Sequence, residues 1–154
     1  MFRRPPDSIL GLITAAMLLT AVGSTARAQY PMLMSLKPVA AQVGQAYEHT
    51  ITSRYNLYGA YQVLVSGTGV TAEVVPLPKP KDGKTPSLTS LKLKFTIAKD
   101  ALPGVRDFRL ATPRGASTIG QIVIVGDPIV NETGNNNSQK TAQAITLPAT
   151  ICGA

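Results

Sequence analysis

The 154-residue sequence has no tryptophan, one cysteine and one histidine, and aromatic residues make up only 5% of it. A single thiol, Cys152, cannot form an internal disulfide, so the fold must depend on a packed core. We expect this thiol to be a small apolar filler near the end of a strand. The low aromatic content also argues against a nucleic-acid partner, which would require a dense basic patch with stacking rings.

The scarcity of catalytic residue types argues against an enzyme. A serine or cysteine nucleophile that uses a histidine base would have to recruit His49. The sequence has neither a Gly-x-Ser-x-Gly nor a His-Glu-x-x-His motif. The acidic residues are scattered and show no paired spacing typical of acid–base catalysis: Glu48, Glu73, Asp82, Asp100 and Asp107. We therefore predict no catalytic residue, and we expect His49 to be a surface or cross-strand side chain.

Long apolar runs are absent except for one near the N-terminus. Residues 9–22 form an apolar run of 14 residues, which follows Arg3 and Arg4 and precedes Ala26-Arg27-Ala28. This order is typical of a secretory signal peptide that is cleaved after Ala28. The run is shorter than the roughly 20 residues that span a bilayer, so no stable membrane span is expected after cleavage. The prediction is an exported protein that is secreted, periplasmic or at the cell surface.

Removal of residues 1–28 leaves 126 residues with 12 basic and 7 acidic side chains, a net charge of +5. The basic residues are spread along the chain, with three in a proline-rich segment and two on a predicted strand: Lys79, Lys81, Lys84, Lys92 and Lys94. We interpret them as solvated residues that keep an exported protein soluble and blunt a sheet edge.

The mature chain has the pattern of an all-β fold, without helical periodicity. Residues 91–97 alternate apolar and polar side chains without a break, which is typical of a strand with one buried face. Further strands are predicted at residues 105–111 and 119–125, and these three strands are expected to form a β-meander. Residues 39–45 are predicted to be a turn-rich connection. The earlier predicted strands are residues 32–36, 47–53, 61–65 and 70–75, the last at a sheet edge.

About seven strands with turn signals between them favour an immunoglobulin-like antiparallel β-sandwich over residues 29–126. The cysteine pair and the core tryptophan of antibody domains are absent. Residues 76–89 form a proline-rich surface loop, and loops of this length are either functional or mobile. It is the candidate recognition loop, although we favour mobility. Two inward rows are predicted, one from Leu91, Leu93, Phe95 and Ile97 and the other from Phe108 and Leu110.

Residues 127–154 are predicted to be a polar linker followed by a segment with strand character at residues 142–147. So short a segment cannot bury a core of its own, so either it packs on the sandwich or it begins a second domain. The linker is rich in oxygen donors suited to Ca²⁺, although their spacing fits no EF-hand loop and a plain linker remains the alternative. The candidate calcium ligands are Asp127, Asn131, Glu132, Asn135 and Asn136.

Several turns resemble an arrangement of large exported bacterial proteins, in which an N-terminal immunoglobulin-like (IPT/TIG-like) module precedes a bacterial pre-peptidase C-terminal (PPC) domain. The segments that carry the resemblance to the first module are residues 35–38, 56–60, 69–72, 98–106 and 112–117. The tail is similar to the opening of a PPC domain at residues 132–136 and 147–153, with Gly134 in place of the usual proline. The resemblance implies a truncated PPC domain, and its family can bind calcium near its start.

Two classes of function follow from these observations. The first is a non-catalytic exported module that spaces or presents domains, or binds a protein partner or a glycan, at the bacterial cell surface. The alternative is an accessory fragment of an exported protease or hydrolase whose catalytic part is not in this chain. Neither class requires a cofactor, and calcium is the one candidate ion.

Overall fold

A computed structural model describes residues 30–77, 80, 86–134 and 136–153, in which the regular secondary structure is almost entirely β-strand. The predicted signal peptide lies outside the described residues. The strands in chain order are β1 (Leu33–Lys37), β2 (Ala40–Gln42), β3 (Ala46–Ser53), β4 (Gln62–Val65), β5 (Val70–Val74), β6 (Ser90–Ile97), β7 (Gly104–Thr112), β8 (Gly115–Ala116), β9 (Gly120–Val125), β10 (Ile129–Asn131) and β11 (Thr150–Cys152).

Two sheets face each other in an immunoglobulin-like sandwich. The first sheet has the strand order β1-β3-β6-β5, and the second has the order β2-β9-β7-β4 with β8 beside β7. This is the order in which immunoglobulin strands A, B, E and D face G, F and C, with the first strand divided between the two sheets. Pro38 separates β1 from β2, since proline cannot donate to a ladder. The predicted fold class is confirmed.

The pairing corrects two of the sequence predictions. The β-meander is wrong, because β6 pairs with β3 and β5 in one sheet while β7 pairs with β4 and β9 in the other. The alternation within β6 identifies its buried face but carries no information about its neighbours. Lys92 and Lys94 therefore lie on an inner strand, so they do not blunt an edge, and they form ion pairs with Glu48 and Glu73. The edge position of β5 is confirmed.

Two segments outside the main strands also differ from prediction. The connection at residues 39–45 contains β2, which pairs in parallel with β9. Residues 142–147 form no strand, and a short 3₁₀ turn at Gln139–Thr141 precedes them. The tail strand is instead β11, which pairs in parallel with β10 and buries Cys152 as predicted. Gln42 Nε2 donates to the carbonyl of Gly126 at 3.3 Å, which ties the start of the tail to β2.

The core lies between the two sheets and contains both of the predicted inward rows. Phe95 from the first sheet and Phe108 from the second meet edge to face, with ring centroids 5.3 Å apart. The His49 ring also meets Phe95 edge to face, at a centroid distance of 5.1 Å. Edge-to-face contacts of this kind add to the stabilisation from buried area. The three rings connect the sheets at the centre of the core.

His49 is fully buried, so the prediction of a surface position is wrong, although it does lie across from Leu93 of β6. Its Nδ1 lies 2.6 Å from the carbonyl oxygen of Pro38, so Nδ1 carries the proton and donates to that oxygen. Nε2 is buried and has no partner among the described residues. Burial lowers the pKa of His49 below its ordinary value of 6.5, and the bond to Pro38 opposes this effect.

We expect the free energy of unfolding to fall as the pH is lowered through 6.5 and below. The unfolded chain takes up a proton near pH 6.5, whereas the folded chain resists protonation until a lower pH, so the stabilisation is present above 6.5 and is lost on acidification. Urea unfolding between about pH 7.5 and 5.5 measures this slope, and the sole histidine is the side chain that ordinarily titrates there. His49→Gln, which retains a donor but does not titrate, should abolish the slope. An unchanged slope in that variant would refute the assignment.

Candidate functional site

Three connections meet at one end of the sandwich, here called the loop end: residues 54–61 between β3 and β4, residues 75–89 between β5 and β6, and residues 113–119 between β7 and β9. The first two are joined by the backbone amide of Leu57, which donates to the carbonyl of Leu88 at 2.7 Å. The first and third are also in contact, since a Cβ on Gly59 would lie 3.0 Å from Pro113. The strand order thus brings together segments that are far apart in sequence.

The segment 54–61 is held in place by Asn56 and Leu57. The Asn56 carboxamide donates to the carbonyl of Pro86 at 3.0 Å and accepts from the amides of Tyr58 and Leu88 at 2.9 and 2.8 Å. Leu57 is fully buried and belongs to the sandwich core. The Asn56 side chain therefore closes its own turn by a hydrogen bond and also joins that turn to residues 86–88, just before β6. Leu57 anchors the same segment by burying its apolar side chain in the core.

The segment 113–119 is also ordered by its own side chains. The Thr112 hydroxyl accepts from the amide of Arg114 and donates to the carbonyl of Gly115, which closes the turn. The buried Ser117 hydroxyl accepts from the amide of Leu110 at 2.9 Å and donates to the carbonyl of Thr118. Arg114 therefore lies exposed on a turn whose two ends are both tied to β7.

The loop end displays tyrosine and arginine side chains on this ordered backbone. Tyr61 is 68% exposed, and Tyr58 is partly exposed. The Arg54 guanidinium lies 5.9 Å from the centre of the Tyr55 ring, within the range of a cation–π contact. Tyrosine offers a large, rigid contact surface with one polar end, which is why binding surfaces use it often.

Most of the net charge of the mature chain lies in the loop-end segments. By sequence they hold five basic residues and one acidic residue, a net charge of +4 out of +5: Arg54, Lys79, Lys81, Lys84 and Arg114 against Asp82. The connections at the opposite end, residues 43–45, 66–69, 98–103 and 126–128, contain Lys99, Asp100 and Asp127, a net charge of −1. The basic residues are scattered in the sequence, but the strand order places their segments at one end.

The predicted recognition loop, residues 76–89, begins and ends at the loop end. Residues 78, 79 and 81–85 lie outside the described residues, so its lysines Lys79, Lys81 and Lys84 are placed by sequence alone. The last part of the loop, residues 86–89, bonds to the neighbouring connection through Asn56 and Leu57. The described surface of the loop end is thus formed by residues 54–61 and 113–119, which were not predicted from the sequence to be a recognition site. The sequence feature that marks this surface is a tyrosine at every third position from Tyr55 to Tyr61.

The candidate calcium ligands are only partly brought together. Glu132 and Asn136 line one recess of about 290 Å³ in the tail, which Gln143 also lines. Gln143 bridges this region, since its Nε2 donates to the carbonyl of Asn131 and its Oε1 accepts from the amide of Thr133. Asp127 is exposed and does not line the recess, and Asn135 lies outside the described residues. The calcium site stays a prediction.

Neither a metal centre nor a catalytic group emerges from the residues that the structure describes. Over these residues no three His, Cys, Asp or Glu side chains converge on a site that could hold a metal ion. His49 is enclosed in the core, so its ring does not face solvent or a substrate. A membrane-spanning helix is likewise not found among the residues described.

The fold and the loop end together define an immunoglobulin-like module with an ordered, basic, tyrosine-bearing surface. No family model matches the chain, and no curated protein is similar to it. Among solved structures, it is similar to the sialic acid binding region of a Streptococcus sanguinis SK1 adhesin bound to 3'sLn, with 13% sequence identity and a TM-score of 0.39. The match covers 64% of this chain and 30% of that one, so no residue role or ligand is carried over from it.

Proposed function

We propose that the chain is a non-catalytic exported module that binds a protein partner or a glycan through the loop end and presents or spaces domains at the bacterial cell surface. The observation that carries this proposal is the ordered segment 54–61, which exposes Tyr58 and Tyr61 while Asn56 and Leu57 hold its backbone. A surface that is ordered before binding loses less entropy when a partner docks. Loops on a rigid sandwich are also a common location for recognition.

The tyrosines allow a direct test. We expect Tyr58→Ser combined with Tyr61→Ser to weaken retention of the mature chain on cells of the producing organism by at least about 30-fold, because even one tyrosine anchor buried at an interface contributes about 2 kcal/mol or more. A pull-down titration of labelled mature chain on intact cells measures the effect. Leu102→Ser serves as the control, since Leu102 is 76% exposed in a connection at the opposite end. Equal retention of the tyrosine variant and the wild type would refute the proposal.

The arrangement of an IPT/TIG-like module before a PPC domain is part of this proposal. It is supported by the strand pair β10–β11, which forms a sheet separate from both sandwich sheets. The alternative function, an accessory fragment of an exported protease or hydrolase, depends on a catalytic part elsewhere. The reading frame after the codon for Ala154 distinguishes the two, because an in-frame continuation with catalytic motifs would favour the alternative.

A further inference from the structure

The outer faces of the two sheets differ in their chemistry. In the first sheet, the exposed residues of β6 are all polar, and its two lysines pair with acidic residues on the neighbouring strands. The second sheet instead exposes apolar side chains, with exposed fractions of 48% for Leu64, 54% for Val105 and 52% for Ile119. A polar face is stable in water alone, whereas a cluster of exposed apolar side chains is typical of an interaction surface.

These apolar side chains belong to one continuous surface on the second sheet, here called the β7 face. β7 lies between β4 and β9, and the register places Leu64 beside Arg109 and Gln121 beside Asp107. Val105 shares this face because it lies two residues before Asp107 on the same strand. One recess of about 340 Å³ is lined by Leu64, Asp107, Arg109 and Ile119 together. The β7 face comprises Leu64, Val105, Asp107, Arg109, Ile119 and Gln121.

The β7 face carries two charges of opposite sign. Asp107 and Arg109 are both exposed and lie two positions apart on β7, so their side chains leave the same face. Asp107 Oδ1 accepts from Gln121 Nε2 at 3.0 Å, and Arg109 Nη1 donates to the carbonyl of Ser117 at 2.7 Å. Within the part of the chain that the structure describes, neither side chain forms an ion pair. Each can therefore accept a charged partner from outside.

The spacing of these charges is complementary to a second copy of the same face. About a twofold axis that crosses β7 at Phe108, two facing β7 strands run antiparallel, and each residue lies opposite the one equally far beyond position 108. Arg109 of one copy then faces Asp107 of the other, and the pair occurs twice. Val105 faces Ala111 in the same way, and no like charges on β7 are opposed. The face has no net charge, which limits the repulsion between two mature chains of +5 each.

We propose that the chain forms a twofold-symmetric dimer through the β7 face. The reciprocal Asp107–Arg109 pairs set the alignment of the two copies, and the exposed apolar side chains around them are buried on association. Three short strands offer a small interface, so the dimer is reversible and depends on concentration. This inference is separate from the binding proposed at the loop end. A dimer would present two loop ends, which strengthens attachment to a surface with repeated sites.

Sedimentation equilibrium of the mature chain over a range of concentrations tests the dimer. We expect Asp107→Arg to raise the dissociation constant at least about tenfold, because it opposes two arginines at both symmetric positions. Asp107→Arg combined with Arg109→Asp exchanges the two charges and should restore the dimer. Glu73→Arg makes the same change of charge at an exposed position on the outer face of the first sheet and should leave the dimer unchanged.

A second variant tests the apolar part of the face without a change of charge. Leu64→Ser combined with Val105→Ser should also weaken the dimer, and thermal unfolding curves that match the wild type will confirm that each variant folds. A monomer at every concentration would overturn the proposal. A dimer that Asp107→Arg leaves equally tight would overturn it as well, since the interface would then lie elsewhere. Failure of the exchanged charges to restore the dimer would show that Asp107 and Arg109 do not face each other.

Discussion

Phe95→Ala is expected to lower the free energy of unfolding by about 3–5 kcal/mol, the usual cost of truncating a fully buried phenylalanine. Phe95 is fully buried in the sandwich core, and its ring makes edge-to-face contacts with both His49 and Phe108. The substitution removes buried apolar area and both edge-to-face contacts, and it leaves a cavity where the two sheets meet. Urea unfolding of the mature chain, followed by circular dichroism at neutral pH, measures the loss.

Two further variants keep this prediction specific. Leu102→Ala removes a side chain that is 76% exposed, so its effect should stay within about 0.5 kcal/mol. Phe95→Leu preserves most of the volume and should cost less than the alanine variant. A loss for Phe95→Ala no greater than that for Leu102→Ala would show that the three rings do not form the core described above.

Gly120→Ala is expected to lower the free energy of unfolding by about 1–3 kcal/mol, the usual cost of overpacking a core. A Cβ at this position would lie 2.5 Å from Cζ of Phe108 and 2.9 Å from both neighbouring ring carbons. Phe108 is fully buried, so its ring cannot move away without disturbing the contact with Phe95. The requirement for glycine is therefore steric and arises from the ring beside it. Thermal and urea unfolding measure the effect.

The matched control for this variant is Gly126→Ala. A Cβ on Gly126 would meet no atom within 4 Å, so the same chemical change should be nearly neutral there. Adding Phe108→Leu to Gly120→Ala should recover part of the loss relative to the sum of the two single variants, because the smaller side chain frees the space that the methyl group needs. Strictly additive losses would contradict the proposed contact between Gly120 and Phe108.

Features that depend on a single stretch of sequence were predicted, whereas features that depend on contacts between distant residues were not. The buried rows of β6 and β7 were predicted because the alternation of side chains is a property of a single strand. The pairing of β6 with β3 and β5 was not predicted, because apolar periodicity is the same whichever strand lies alongside. β2 was missed because Ala40-Ala41-Gln42 is short and lacks β-branched residues, and its parallel partner β9 lies about 80 residues later.

The site was harder to predict than the fold for the same reason. The burial of His49 depends on the carbonyl of Pro38, which reaches the ring only because the first strand crosses between the sheets. The order of residues 54–61 depends on Asn56 bonding to Pro86 and Leu88, some 30 residues away. Arg54 and Arg114 lie far apart in the sequence, and only the strand order places their connections at the same end of the sandwich. The spacing of Tyr55, Tyr58 and Tyr61 is visible in the sequence, but only the fold shows that their loop lies at an exposed end of the sandwich.

The outward lysines of β6 have a consequence for how the first sheet assembles. Exposed ion pairs such as Lys92–Glu48 and Lys94–Glu73 contribute little to the stability of the finished fold. A slip of one residue between β6 and either neighbour, however, would turn both lysines into the layer that Phe95 occupies. A slip of two residues would keep the faces correct and, in one direction, would place Glu48 or Glu73 opposite Lys92. The two lysines therefore discriminate against pairings shifted by one residue, in a strand that pairs with a neighbour on each side.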